Sequence, residues 1–455
     1  MGKKFQYFID DEHDELINRY EKFLSGAASG YFEVEELGSI VEYYLQRGKT
    51  SESLKAWEFG KKLHPESSLL DLKRAKIYLT SGDAQKANRI LDSQIESNEP
   101  EVVLLKIETL IKLGREKEAY GIALRLIDGE DDEKEWMCLD LAMVFMTENS
   151  FKFALELLKK GEEITPRNID ILFEKAFCYE RLNDLEPAIS AYDKIVSIDA
   201  YSAEAWFNLG QIHFNLNQFE KALEAYDYAL TINDGDVIAL MQKAHSLYQL
   251  NRYNDAVQVY LEYVEFAVEK WQVYTFIGEC YEKLEDYVKA LHYYQLSMDE
   301  TPNNFDALVG ATICMLEMEE YLKSLEYILK AIELDDKAAD VWVYLAEAKT
   351  GLGNTDEALE AYLKSISIDP TQPDVLMSVA GIYMDEGKFA EAIKYYELAY
   401  NFDNNLEMIE LFMAVGYYYM GDMEKTSHFL HLALQKSLDA FMLFQEFCPD
   451  AGLEF

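Results

Sequence analysis

Apolar side chains recur along the chain at spacings of three and four residues, which places them on one face of a helix. The spacing predicts short amphipathic helices in pairs. In residues 203–236, Trp206 and Gly210 fall at positions 4 and 8, and Ala222, Tyr226 and Ala229 at positions 20, 24 and 27. The first set lies along one helix and the second along another. Small residues at 8 and 20 let the two backbones approach, and larger ones at 4, 11 and 24 fill the space beside them. Turn residues such as those of 352–357 (LGNTDE) separate the helices, and Pro166, Pro302 and Pro370 stand at position 32, before the next pair.

The pattern is periodic. Segments beginning at Ile169, Ala203, Val237, Trp271, Phe305, Ala339, Pro373 and Glu407 align over eight 34-residue units without insertion or deletion. A fixed period of this length predicts stacked supersecondary units. Residues 135–168 keep the phase through Ala142, Phe145, Ala154, Leu158 and Pro166. Residues 100–134 fit after a one-residue adjustment, 68–99 are two residues short, and 34–67 fit more loosely through Val41, Tyr44, Trp57 and Pro65.

These positions resemble tetratricopeptide repeats, whose pattern has Trp or Leu at 4, Leu at 7, Gly or Ala at 8, Tyr at 11, Ala at 20, Phe or Tyr at 24, Ala at 27 and Pro at 32. The resemblance covers twelve repeats, starting near 34, 68, 100, 135, 169, 203, 237, 271, 305, 339, 373 and 407. It implies an all-α fold, a right-handed superhelical α-solenoid of tandem helix-turn-helix repeats over residues 34–438. Residues 1–33 then form an N-terminal helix and linker, and 439–455 a closing helix and tail. The opening helix is expected over 11–24, with Leu16, Ile17, Tyr20, Phe23 and Leu24 on one face. Five residues depart from the pattern: Lys175 and Lys243 at position 7, Thr312 at 8, Glu410 at 4 and Thr426 at 20.

Charge narrows the classes of partner. Lys and Arg number 42 against 84 Asp and Glu, and residues 1–100 hold 14 and 18 of them, so the acidic excess lies downstream. Such a field repels nucleic acid and anionic lipid and favours basic partners, although a solvated, solubilising face would need no partner. No apolar run approaches the roughly 18 residues of a membrane span, so no membrane insertion is expected. Acids follow the first lysines where a secretory signal needs an apolar stretch, which points to the cytoplasm. Five scattered cysteines without CxxC spacing suit a reducing compartment.

No catalytic constellation emerges. His213 stands at position 11, where a core tyrosine is usual, and His428 and His431 are spaced i, i+3 without a third ligand. Cys178, Cys280 and Cys314 share position 10, as small buried residues would. The Gly351–Gly353 pair lies in a turn between helices and lacks the strand of a phosphate loop. The chain reads as a non-enzyme without cofactor or metal.

A second stripe, at positions 5, 9 and 12, lies about 100° from the packing face. It carries Leu139, Met143 and Met146, then Phe173, Phe177 and Glu180, then Phe207, Gln211 and Phe214, then Met241, His245 and Tyr248. Acids interrupt it at Glu279 and Glu282, it is apolar again at Val309, Ile313 and Leu316, Glu347 breaks it once more, and Met377, Gly381 and Met384 follow. The resemblance places this stripe in the concave groove where family members bind peptides. A carboxylate clamp for acidic C-termini is not implied, because Asn208 alone matches it. The apolar members from Leu139 to Tyr248, with Gln211 and His245, form the candidate partner-binding set. One reading is a scaffold or adaptor binding an apolar segment with basic flanks. The alternative is a self-associating structural protein, a homo-oligomer whose groove takes terminal segments such as 5–9 or 453–455. Burial of the stripe between neighbouring first helices would leave less surface for either.

Overall fold

The computed structural model describes residues 15–26, 30–92, 99–128, 134–437 and 439–451. They form two compact units, residues 1–212 and 213–455, each built of helical hairpins, and no strand occurs among the described residues. In the first unit the leading helices of the hairpins begin at Val34, Ser68, Pro100, Lys134, Ile169 and Ala203. In the second they begin at Val237, Trp271, Phe305, Ala339 and Pro373, and finally at Ile409, which follows Met408 at a φ of 59°. A short helix, Ala440–Phe447, packs on the last pair. The terminal stretches 5–9 and 453–455, and residues 11–14 of the opening helix, lie outside the described residues.

One residue of positive φ closes the leading helix of every hairpin, from Gly48 to Gly421, and from Asn149 onward these residues are 34 apart. The turn is tight: Asn149 N–H donates to Met146 O at 3.0 Å and Ser150 N–H to Phe145 O at 2.8 Å, which satisfies carbonyls that the helix end leaves open. Glycine or asparagine fills most of these sites, as the left-handed region favours. Glu285 and Glu319 occupy it at φ of 58° and 56°. At the other end of the hairpins, Asn168, Asp236 and Asn304 cap the helix that follows, accepting from backbone N–H groups at 3.1, 3.0 and 3.4 Å.

The core follows position 24. Tyr192 in the first unit, and Tyr226, Tyr260, Tyr294, Tyr362 and Tyr396 in the second, are all buried, with alanines packed beside them. Tyr294 is held on three sides: its ring lies against Gly278 of one leading helix and Gly310 of the next, and its hydroxyl donates to Glu282 at 2.8 Å.

Each departure from the repeat pattern has a local partner. Lys175 pairs with Glu162, which also takes Lys194 at 2.7 Å, and Lys243 pairs with Asp227 at 2.7 Å. Thr312 and Thr426 are buried and return their hydroxyls to Leu308 O and Asp422 O, both at 2.8 Å. Glu410 is buried where an apolar residue is usual, and Lys436 reaches it at 2.5 Å. Leu24 departs from the expected face of the opening helix. Ile17 and Tyr20 are buried there, but Leu24, in the last turn, is 58% exposed.

Candidate functional site

In the first unit the stripe is partly surface. Leu139 is buried, Met146, Phe173, Phe207 and Gln211 are half-buried, and Met143 and Phe177 are 48% and 44% exposed. Met143 and Phe177 both stand at position 9, one hairpin apart, on helices Lys134–Thr147 and Ile169–Arg181. Phe151 meets the Phe177 ring edge-on at 6.1 Å and carries the Arg181 guanidinium over its face at 5.3 Å. Phe173 meets Tyr192 edge-on at 5.9 Å. Acids border these rings. The Tyr192 hydroxyl donates to Glu180 at 2.7 Å and accepts from Asn208 at 3.2 Å. Burial raises the Glu174 and Glu180 carboxyls above their ordinary value, with Asp170 and Glu204 adding to the effect at Glu174.

In the second unit the stripe residues engage their own hairpin or the next one. Phe214 packs edge-on against Phe219 at 5.3 Å, Tyr248 against Tyr253 at 5.3 Å, and Met241 joins the core around Tyr260. His245 stands between Phe276 at 5.0 Å and Tyr260 at 5.8 Å, and burial pushes its imidazole below the ordinary range. Tyr248 is pushed up to about 12, chiefly by burial. Glu279 is lifted to about 7 by burial first, then by Asp306 and Glu282. Leading helices 271–283, 305–317 and 339–351 also touch one another, so part of the stripe is covered there.

Further along the same unit a recess of about 650 Å³ opens at Met377, Gly381 and Met384. Phe389 and Tyr396 come from the second helix of that hairpin, Phe412, Val415 and Tyr419 from the last leading helix, and Phe447 from the closing helix. Two ring pairs stack along its wall, Phe389 on Tyr419 at 4.6 Å and Tyr396 on Phe412 at 5.9 Å. Asp385 is the acidic side chain in the lining.

Comparison with known families finds repeat models along these hairpins, two of them in register with the hairpins beginning at 339 and 373. Residues 339–372 and 373–406 match one tetratricopeptide repeat model, residues 241–305 match a second, and residues 182–263 match the family described as anaphase-promoting complex, cyclosome, subunit 3. The chain is a tetratricopeptide-repeat protein. No curated protein matches it. Among solved structures, the hetero-tetramer of the anaphase-promoting complex, Cut9–Hcn1, is 14% identical at a TM-score of 0.41, over 85% of this chain and 96% of that one. The C-terminal part of a tetratricopeptide-repeat protein from Cytophaga hutchinsonii is 19% identical at 0.45, over 52% of this chain and 98% of that one. YrrB, described as having an unusual peptide-binding site, is 22% identical at 0.36, over 42% of this chain and 98% of that one. At these scores the assignment rests on the repeat register and not on the neighbours.

The tetratricopeptide-repeat scaffold is of the kind that mediates protein–protein contact. Its cysteines, and His213, His428 and His431, have packing or hydrogen-bond partners within the array. All five cysteines are free and buried, and desolvation pushes the thiols of Cys178, Cys280 and Cys314 up to about 12, away from the reactive thiolate. His213 Nδ1 meets Gln218 at 2.9 Å, His428 packs on Phe429 and His431 meets Gln435 at 3.0 Å. Among the described residues no three His, Cys, Asp or Glu side chains are grouped to hold a metal, and no helix is long and apolar enough to cross a membrane. The recess was not singled out from the sequence. Its signal was Gly381, a glycine inside a helix at a stripe position that carries a side chain in the preceding hairpins.

Proposed function

We propose that this tetratricopeptide-repeat protein is a non-catalytic adaptor, and that it grips an apolar, basic-flanked segment of another protein on the leading-helix face of its hairpins. The observation that supports this most is the Met143 and Phe177 pair. Two large apolar side chains stand exposed at the same repeat position on adjacent hairpins, with half-buried Phe173 and Phe207 on the same stripe. Contiguous exposed apolar surface marks interaction sites more than scattered residues do. Methionine adapts to a partner's shape, and a phenylalanine ring anchors it with little entropy to lose. Glu174 and Glu180 border the patch, so a partner with Lys or Arg beside its apolar residues meets complementary charge. Five buried, free thiols suit a reducing compartment, and we place the protein in the cytoplasm.

The test is capture from cell lysate by the immobilised full-length chain and by a Met143→Asp/Phe177→Asp variant with unchanged circular dichroism and thermal midpoint. The expected result is a set of proteins retained by the wild type and lost at least about tenfold in the variant, since two anchors at roughly 1 kcal/mol or more each are removed. Equal capture by both chains would refute the site, and no saturable capture by either would refute the adaptor reading.

A further inference from the structure

Position 9 of the leading helices carries His245, Glu279, Ile313 and Glu347 in the second unit, and then Gly381. Neither crowding nor backbone requires a glycine there. A Cβ built on Gly381 meets no atom within 4 Å, and the residue lies within helix Pro373–Asp385 without a positive φ. Glycine inside a helix is less stable than alanine would be, so its presence there is not explained by helix formation. What it leaves is the open floor of the 650 Å³ recess, a volume within the usual range of binding sites.

The walls are fixed before anything enters. Phe389 and Tyr419 stack at 4.6 Å with an 8° interplanar angle, Phe412 meets Phe447 edge-on at 6.0 Å, and the Tyr419 hydroxyl donates to Phe447 O at 2.7 Å. These contacts tie the closing helix to the wall, so little order remains to be lost on binding. Apolar rings of this kind take an apolar group and exclude an unpaired charge. At the edge, Asp385 makes no ion pair among the described residues, whereas its neighbour Glu386 is held by Lys388 at 2.9 Å. Residues 213–455 hold 43 acids against 15 bases, so the surrounding field repels an acidic occupant and attracts a basic one.

We propose that the recess is an anchor site for an apolar–basic segment of a partner protein. A bulky aromatic or aliphatic side chain enters over Gly381, and an adjacent Lys or Arg pairs with Asp385. The inference rests on the adaptor reading above and adds to it a second place and a stated chemistry of recognition.

The test is fluorescence anisotropy on the full-length chain with three labelled synthetic peptides. One has a Leu-Phe-Leu centre between lysine flanks, one has the same centre between glutamate flanks, and one has lysine flanks with the centre's Phe replaced by Ser. The lysine-flanked Phe peptide is expected to bind at least tenfold more tightly than the other two. Gly381→Leu fills the recess from a site with room for its Cβ, and is expected to weaken that binding at least tenfold without lowering the thermal midpoint. Asp385→Asn leaves the walls untouched, and is expected to weaken it three- to tenfold and flatten its salt dependence. Binding that is unchanged in Gly381→Leu and Asp385→Asn overturns the proposal. So does a small apolar dye that occupies the recess, is lost in Gly381→Leu, and is not displaced by the lysine-flanked peptide. If lysate capture depends on Met143 and Phe177 while these peptide results fail, the recess falls and the adaptor reading stands.

Discussion

Adding one carbon at Gly310 is expected to do more than its size suggests. The Tyr294 ring is 1% exposed and lies against Gly278 on one side and Gly310 on the other. A Cβ on Gly310 would stand 2.6 Å from Tyr294 Oη and closer still to Cζ, where non-bonded carbons settle at about 3.5–4 Å. The ring has no retreat, because a Cβ at Gly278 would already be 2.6 Å from its Cε1 and Glu282 holds its hydroxyl at 2.8 Å. Helices Trp271–Lys283 and Phe305–Glu317 must therefore separate, or the ring must leave. Overpacking of this kind costs about 1–3 kcal/mol, and losing a hydrogen bond to a charged acceptor costs about 1.5–3 kcal/mol. Alanine's better helix propensity returns about 1 kcal/mol. The expected net loss for Gly310→Ala is about 1.5–5 kcal/mol. Because an array need not unfold as one unit, the reading is local: hydrogen exchange across residues 305–317, beside urea unfolding followed by circular dichroism. In a Tyr294→Leu background the same substitution is expected to be neutral or to stabilise by up to about 1 kcal/mol, a coupling of at least about 1.5 kcal/mol. Equal effects in both backgrounds, or a stabilising Gly310→Ala in the wild type, would refute the steric argument.

Glu319→Gly relieves a side chain in the left-handed region, and the strain of about 1–2 kcal/mol exceeds the roughly 0.5–1 kcal/mol of extra unfolded-state entropy, so the thermal midpoint should rise slightly; a fall would contradict it. Glu279 titrates near 7 in the folded chain against an ordinary 4.5, so the folded state keeps a proton that the unfolded chain has released. Stability should fall as pH rises from about 4.5 to about 7, by at most roughly 3 kcal/mol, and Glu279→Gln should remove that slope in urea unfolding at stepped pH. Lys436→Met strands the buried Glu410 carboxylate and should cost about 2–4 kcal/mol, whereas Glu410→Leu with Lys436→Met should be neutral or stabilising in the same assay.

The hairpins were legible in the sequence because packing in a repeat is written many times. Ala222, Tyr226 and Ala229 recur with variation 34 residues on, and each recurrence repeats the same demand for close approach on one side and volume on the other. The departures were legible only as exceptions. Nothing in Lys175 or Glu410 alone names Glu162 or Lys436 as the partner that makes each tolerable, since those partners lie on other helices. The positive-φ residues show the same limit. Asparagine and glycine advertise the turn, but Glu285 and Glu319 adopt it because the helices on either side fix the backbone, and the side chain has no say.

The candidate site was less legible for a related reason. A stripe at positions 5, 9 and 12 says which residues leave the packing face, yet burial on that stripe depends on the neighbouring helix. Leu139 is buried and Met143, four residues on, is half exposed, although both are apolar and both lie on the stripe. At the recess the decisive residue is one without a side chain. Gly381 opens a floor whose walls come from Phe389, Tyr419 and Phe447, on three further helices, and no periodicity brings those three together. In a repeat protein the packing positions are constrained to resemble one another, so they carry the fold and little else. Information about a partner must then reside where hairpins are free to differ: in Phe177 against Glu279 at the same position, and in Gly381 against both.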